Sequence, residues 1–366
     1  MQICNRCVMT DHGDPTIHFD DNGICNYCTD AFEKKKTVYF PGDEGNEKIS
    51  KMIEILKKDG EGREYDCLMG ISGGLDSSYL AYLGAAKWGM RIAALHIDDG
   101  YDTEISTCNI NLLCEKCGIK LFTIKPDLLQ YNDLVKSYIK AGVPDLSVPQ
   151  DNLFINFLYK FAIEHDIHYF LSGGNFALEC ILQRGNTCDK YDKKNIMAIH
   201  KRFGEGPIDK LEIFTSYKKY IYEYIYKIQT YKPLDYVDYN RDRAFKELEE
   251  FCGFKYYGRK HLENYLCSFL QLYWLPNKFK VDKRTSHLSS MIVSGQMTRE
   301  QALEELKEPL YDEKYMEKVK SLICKNMNMA VEELDRYVAE PGCQHNAYPV
   351  DKLQPELRKI YRLFIK

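Results

Sequence analysis

The chain has no run of about 18 apolar residues, the length a membrane-spanning helix needs, so no membrane span is expected. Met1 to Thr10 holds Arg6 and two cysteines but no apolar stretch. No signal peptide is therefore expected, and the expected location is cytoplasmic. Positive charge is not in excess: 50 Lys and Arg stand against 54 Asp and Glu, a formal net charge of −4. That balance argues against sequence-independent nucleic-acid binding, which requires a basic footprint. No internal repeat and no low-complexity segment is visible. What remains is a chain of 366 residues, 45% hydrophobic and 28% charged, in the range of ordinary globular proteins and long enough for about two to three domains. Its 14 cysteines stand out. In a reducing compartment clustered cysteines are metal ligands or catalytic groups rather than disulfides.

Four of them form a pattern. Cys4-x2-Cys7 is followed, 17 residues later, by Cys25-x2-Cys28. Each CxxC turn aims two thiolates at one point, and two such turns complete a tetrahedron around Zn²⁺. Gly13, Pro15 and Gly23 suit the turns between them. A segment of about 30 residues cannot build its own core, so the metal would supply its folding free energy. Such a site is closed and structural. An iron–sulfur cluster is the other reading of the four thiols. His12 and His18, between the pairs, read as loop histidines.

Residues 31–45, with Lys34-Lys35-Lys36 and Pro41-Gly42, read as a linker. Beyond it Ile49, Met52, Ile53 and Leu56 recur at helical spacing. Then strands and helices alternate: strand 65–71, helix 77–88, strand 91–97, helix 104–117, strand 120–124, a helix capped by Asp151 running to about 165, and strand 168–172. This alternation implies βαβ units and a parallel sheet. Ligands bind at the carboxyl ends of such strands, which places loops 72–78, 98–102 and 173–179 on one rim. After about residue 185 the pattern is mostly helical and aromatic; residues 215–275 hold 12 of the 28 tyrosines. Tyr217, Tyr220, Ile221 and Tyr224 fit a helix face.

The first rim loop, Ser72-Gly73-Gly74-Leu75-Asp76-Ser77-Ser78, follows a strand and opens a helix. Its glycines let backbone N–H groups approach phosphate oxygens, the helix N-terminus adds partial positive charge, and the serines add donors. The GK[ST] ending of a Walker loop is absent, as is the G-x-G-x-x-G fingerprint. S-G-G-x-D-S resembles the PP-loop of ATP pyrophosphatases, which cleave ATP between the α and β phosphates. Asp76 is placed to hold Mg²⁺. His96 and Asp98, at the end of the second strand, occupy the segment that lies against the adenine in PP-loop proteins. Gly173, Gly174 and Glu179 form the third loop, with Glu179 either a second magnesium ligand or a plain surface acid.

Taken together, these residues resemble one family, the N-acetyl sugar amidotransferases of surface-polysaccharide and nonulosonic (pseudaminic-type) acid biosynthesis. The resemblance runs through Cys4–Met9, Phe19–Cys28, Ser72–Ser78 and the 172–179 loop. It continues through Val237–Asn240, Gly258–Glu263, Leu275–Phe279, Asp282–Arg284, His287–Ser289 and Ser294–Leu303. Asp99 stands where the family has Asn, and Leu178 where Thr is common. The resemblance implies an α/β PP-loop (adenine nucleotide alpha-hydrolase-like) domain at 41–185, a zinc-ribbon-like module at 1–40 and a mostly helical substrate-binding region at 186–366. It implies ATP, Mg²⁺ and Zn²⁺ as cofactors, with Ser72, Gly73, Gly74, Asp76, Ser77, Ser78, His96, Asp98, Gly173, Gly174 and Glu179 around the nucleotide.

The implied reaction converts a sugar acetamido group to an acetamidino group through an O-adenylyl imidate, releasing AMP and pyrophosphate. The implied acceptor is an acetamido sugar, nucleotide-linked or otherwise phosphate-bearing. No glutaminase module is recognisable, so ammonia is expected from a partner glutaminase, with a cyclase-like subunit beside it. Lys260, His261, Lys278, Lys283, Arg284 and His287 are either solvated helix charges or a cationic set reaching phosphates. On the second reading Lys260, His261, Lys283 and Arg284 join Asp76 in catalysis. Two other functions stay open. One is a PP-loop sulfurtransferase using Cys114-x2-Cys117, which share a helix face; the other is a non-enzymatic zinc-ribbon interaction module.

Overall fold

A computed structural model of the chain describes residues 1–352. Five strands form one parallel sheet in the order β3-β2-β1-β4-β5. They are β1 (Cys67–Gly70), β2 (Ile92–Ile97), β3 (Lys120–Ile124), β4 (Tyr169–Leu171) and β5 (Gln229–Tyr231). Met69 pairs with Ala94 on one side and Leu171 on the other. Alternate β1 residues serve opposite faces: Leu68 joins a core with Ala93, Leu95 and Phe170, while Cys67 and Met69 join one with Ile92, Ala94 and Leu171. Both faces are covered, as a parallel sheet requires. The order runs outward from β1 through β2 to β3, then returns to β4 on the other side of β1. The crevice at the carboxyl ends of β1 and β4 is therefore the topological switch point, where α/β sheets bind ligands. Sheet order and loop placement are those of a PP-loop α/β domain.

The elements largely follow local chemistry. Helix Glu104–Cys117 is capped by Thr103, whose side chain accepts from the Ser106 amide, and it closes at Gly118 with φ 64°. Four expectations are corrected. The 31–45 linker is largely helix: Asn26–Val38 carries Lys34–Lys36 in its last turns, and the Lys35 ammonium donates to the Val293 carbonyl. The helix after residue 147 is Val148–Glu164 with Ser147, not Asp151, at its N-cap. Pro149 sits in its first turn, which needs no N–H donor there. The 77–88 helix starts at Leu75 and, after Tyr82, widens into a π turn over Leu83–Lys87. Strand β5 is absent from the sequence reading. It lies beyond residue 185, at the sheet edge beside β4. The tyrosine-rich stretch is helical over Ser216–Tyr220 and continues as a π turn over Ile221–Ile225.

The region after 240 is helical: Arg241–Cys252, Tyr265–Phe269, Arg284–Ser294, Arg299–Glu305, Glu313–Asn326 and Val331–Ala339. Its core is not separate. Trp274, Phe269, Val319 and Ile323 bury against Tyr131, Val135 and Tyr138 of helix Leu128–Ala141. Among the described residues no helix is long and apolar enough to cross a membrane.

Candidate active site

A cavity opens at the switch point. Ser72, Gly74, Asp76 and Ser77 form one wall, Gly173, Gly174 and Glu179 a second, and His96 and Ile97 a third. The loops are tightly built. The Ser72 hydroxyl accepts from the Gly74 amide at 3.2 Å, and the Ser77 hydroxyl donates to the Gly74 carbonyl at 3.3 Å. A Cβ on Gly173 would stand 3.0 Å from the Ser77 nitrogen, tighter than an ordinary contact, so a side chain there would press the third loop away from the first.

The charges meet at Lys260. Its ammonium pairs with Asp76 and, at 3.0 Å, with Glu179. Asp76 also accepts from the Tyr239 hydroxyl at 2.5 Å. Burial works against the Lys260 charge, but the two carboxylates outweigh it and the group is held above the ordinary lysine range. Burial likewise works to raise Glu179, and Lys260 overcomes it, so the net shift is downward. Glu263 is buried beside the same loop; one carboxylate oxygen accepts from the Ser72 hydroxyl at 3.4 Å and the other has no partner among the described residues. Burial raises its carboxyl. The Leu75 amide donates to the Tyr257 hydroxyl at 2.7 Å. Opposite, the two ring nitrogens of His96 lie 2.9 Å from the Ile71 carbonyl and 2.9 Å from Asp102.

A second, tighter cavity shares Leu75, Asp76, Tyr257 and Lys260 with the first. Its floor is apolar and aromatic, with Phe245, Tyr256 and Leu288, and Arg241, Lys283 and His287 face it. Lys283 makes no ammonium hydrogen bond or ion pair among the described residues, and burial lowers it. Burial also holds His287 well below the ordinary histidine value, helped by the charges of His261, Lys260 and Lys283, so its ring is neutral.

The structure thus gathers Ser72, Gly74, Asp76, Ser77, His96, Gly173, Gly174, Glu179, Lys260 and His261 around one cavity. Others fall elsewhere. Ser78 is fully buried in the core, one residue and about 100° of helix past Ser77. Gly73 turns away at φ 74°, packed on Ser106. Asp98 lines a neighbouring hollow and pairs with Lys125 at 2.7 Å. Lys283 and Arg284 face the second cavity, and the Arg284 guanidinium is already spanned by Asp282 and the Glu308 carbonyl. Lys278 binds the Tyr337 and Glu340 carbonyls, ending helix Val331–Ala339, and faces neither cavity. Tyr239, Tyr257, Glu263 and Asp102 carry site contacts that sequence reasoning did not assign. Tyr239 and Glu263 lie in the family segments and Asp102 in the 98–102 loop, whereas Tyr257 precedes Gly258–Glu263 and carries no such signal; each meets its partner through the fold.

The four ribbon thiols are buried, with all sulfurs within 4.8 Å of one another. Cys4 and Cys28 sulfurs stand 3.9 Å apart, and those of Cys7 and Cys25 3.7 Å. Zinc–sulfur bonds of about 2.3 Å in a tetrahedron require edges of about 3.8 Å, so the set fits a single ion. In a four-iron cluster each thiolate binds its own iron and points outward, which needs wider spacing. Asp76 and Glu179 have the oxygen donors that Mg²⁺ takes, and in this structure one ammonium joins them.

Residues 259–362 match the family described as LPS biosynthesis protein WbpG-like, C-terminal domain. That segment is similar to the WbpG-like domain. This match supports the amidotransferase family read from the sequence, and it begins at the segment that delivers Lys260, His261 and Glu263 to the phosphate loop. No curated protein matches the chain. Among solved structures, NMN synthetase from Francisella tularensis is 15% identical with a TM-score of 0.35, covering 83% of this chain and 99% of its own. The NH3-dependent NAD synthetase from Campylobacter jejuni is 16% identical with a TM-score of 0.30, covering 57% and 93%. The U34-tRNA thiolase NcsA from Methanococcus maripaludis, with its [4Fe-4S] cluster, is 18% identical with a TM-score of 0.34, covering 81% and 87%. Likenesses this distant carry no argument, and the fold stands on its own sheet order and loop geometry.

Proposed function

We propose that this chain is an ATP-dependent, AMP-forming amidotransferase that converts a sugar acetamido group to an acetamidino group. The observation that carries the reading is the pair of cavities meeting at Asp76 and Lys260: a phosphate-loop cavity suited to ATP beside an aromatic-floored one suited to a sugar. The amide oxygen attacks the α-phosphorus; an O–P bond forms, the bond to the pyrophosphate oxygen breaks, and the amide nitrogen loses its proton. Ammonia then adds to the imidate carbon, loses a proton, and the C–O bond to AMP breaks. Loop amides with Ser72 and Ser77 hold the phosphates, and Lys260 supplies positive charge where the two cavities join. His287, neutral at the wall of the acceptor cavity, offers the sugar a hydrogen bond, and the protons shed by the amide and by ammonia pass to solvent. Asp76 and Glu179 would hold Mg²⁺, which neutralises charge on the departing pyrophosphate. Zn²⁺ in the ribbon would be structural.

Ammonia comes from a partner glutaminase, with a cyclase-like subunit alongside. The test mixes the chain, ATP, Mg²⁺ and ammonium with candidate acetamido sugars and follows products by mass spectrometry. Replacement of O by NH alongside AMP and pyrophosphate is expected, and Asp76→Asn reduces it at least about 100-fold. ADP and phosphate as products sink the mechanism.

A further inference from the structure

His96 stands between the phosphate loop and the segment that carries Lys260. One ring nitrogen, Nδ1, faces the Ile71 carbonyl, the last group before Ser72; the other, Nε2, faces the Asp102 carboxylate. Asp102 is bridged along the backbone to Asn264. The Thr103 amide donates to the Glu263 carbonyl at 3.1 Å, and the Tyr265 amide to the Tyr101 carbonyl at 2.7 Å. Asn264 also donates to Asp99 at 3.2 Å. The segment so anchored, 257–264, brings Tyr257, Lys260 and Glu263 onto the loop and turns through Gly258 and His261 at φ 101° and 64°.

Both groups facing the ring are acceptors. A carbonyl never donates, and an ionised carboxylate only accepts. Both ring nitrogens must then carry hydrogen, which makes the ring an imidazolium. We infer that His96 is a positioning residue whose protonated ring clamps the phosphate loop to the 257–264 segment and so sets the affinity for the ATP phosphates. This rests on the reading of the first cavity as the ATP site.

The charged surroundings agree. Asp102 and Asp98 face the ring from its own strand's loop, Asp98 shared with Lys125 from the end of β3. Asp151 and Glu263 approach from the helix and the segment opposite. Burial works against the imidazolium, and Asp102 outweighs it, so the ring is held above the ordinary histidine value. A group raised in this way supplies its contact below its folded pKa and loses it as pH rises through that value. The remaining proton stays on Nε2 against the carboxylate, and Nδ1 then confronts the Ile71 carbonyl as lone pair against lone pair.

The experiment measures ATP affinity by calorimetry against pH on the full chain, beside the imidazole nitrogen shifts of His96 by NMR and amide exchange over 257–264. The wild type is expected to weaken about tenfold for ATP, the worth of about one charged hydrogen bond, as the ring deprotonates above its ordinary pH. Exchange over 257–264 should quicken at the same midpoint. Asp102→Asn supplies a side-chain N–H to Nε2, so a neutral ring completes the bridge and the affinity becomes flat with pH. A ring that titrates at or below the ordinary value overturns the inference. So does an Asp102→Asn variant as pH-dependent as the wild type. If no ATP binds at any pH, the ATP reading fails, while the ring titration and the exchange midpoint still decide the clamp.

Discussion

Asp99 holds a carboxylate 2% exposed among four donors: the Tyr101 amide, the Tyr131 hydroxyl, Gln150 and Asn264. Burial, with Asp102 nearby, nonetheless pushes it up to about 6. For an acid raised above its unfolded value the folded state binds the proton more tightly, so stability falls as pH rises from the unfolded value to about 6 and is flat beyond. Asp99→Asn removes that charge. It should stabilise the fold by about 3 kcal/mol at pH 8 at most, and by little near pH 4, as read by thermal unfolding at the two pH values. Lys260 is the opposite case, a cation whose removal strands charge. Lys260→Ala leaves Asp76 and Glu179 without their shared partner, which costs about 3–5 kcal/mol. Millimolar Mg²⁺ alone should restore part of that loss in the variant and barely shift the wild type. Equal Mg²⁺ shifts in both proteins count against these carboxylates as the metal pair.

At the scale of elements, the ribbon matters through what it touches. The Arg299 guanidinium donates to the Cys4 and Cys7 carbonyls, and the Val8 amide to the Ser289 hydroxyl at 3.2 Å. Met9 packs with Val293 and Val8 with Leu288. Helix Arg284–Ser294, whose start presents Arg284 and His287 to the second cavity, thus rests on the ribbon. Chelating the metal should lower the unfolding temperature and raise the acceptor KM several-fold, with a smaller change in ATP KM. An ATP KM that suffers more than the acceptor's contradicts that arrangement. These elements also show what a sequence displays. Strands β1, β2 and β4 are legible because their apolar runs end in glycine or acidic loops, and β3 because it follows a helix of ten or more residues in the same alternation. Strand β5, Gln229–Tyr231, has no alternation and exists only because β4 offers an edge. Ser147 stands at the N-cap position without a capping bond, its hydroxyl turned to Asp145 and Asp151, so Pro149 rather than a cap residue marks the first turn. The tie of Tyr239 to Asp76, or of His96 to both Ile71 and Asp102, is a product of folding across the chain, which spacing does not encode.

For the whole molecule, the question is which of the remaining cysteines has the chemistry to attack. Hydrolysis of glutamine by a cysteine and transfer of sulfur both need an accessible thiolate near neutral pH. Burial pushes Cys114 up to about 11 and Cys117 up to about 12. Cys114 packs with Leu113 and Ile110 in the core under the sheet, Cys117 lies against that core, and neither lines either cavity. Cys180 and Cys324 are likewise raised to about 11 by burial. Cys267, the cysteine that lines the first cavity, is held far above the ordinary range. With the thiol that lines the first cavity held protonated, the purified chain should turn over with ammonium and not with glutamine, and added glutaminase partner should restore glutamine use. Cys114→Ser with Cys117→Ser should keep at least about half the ammonium-dependent rate, since neither thiol meets the reacting groups. Glutamine-dependent turnover by the chain alone removes the need for a partner. Loss of activity in the double serine variant, with its unfolding temperature unchanged, replaces the amidotransferase reading with sulfur transfer.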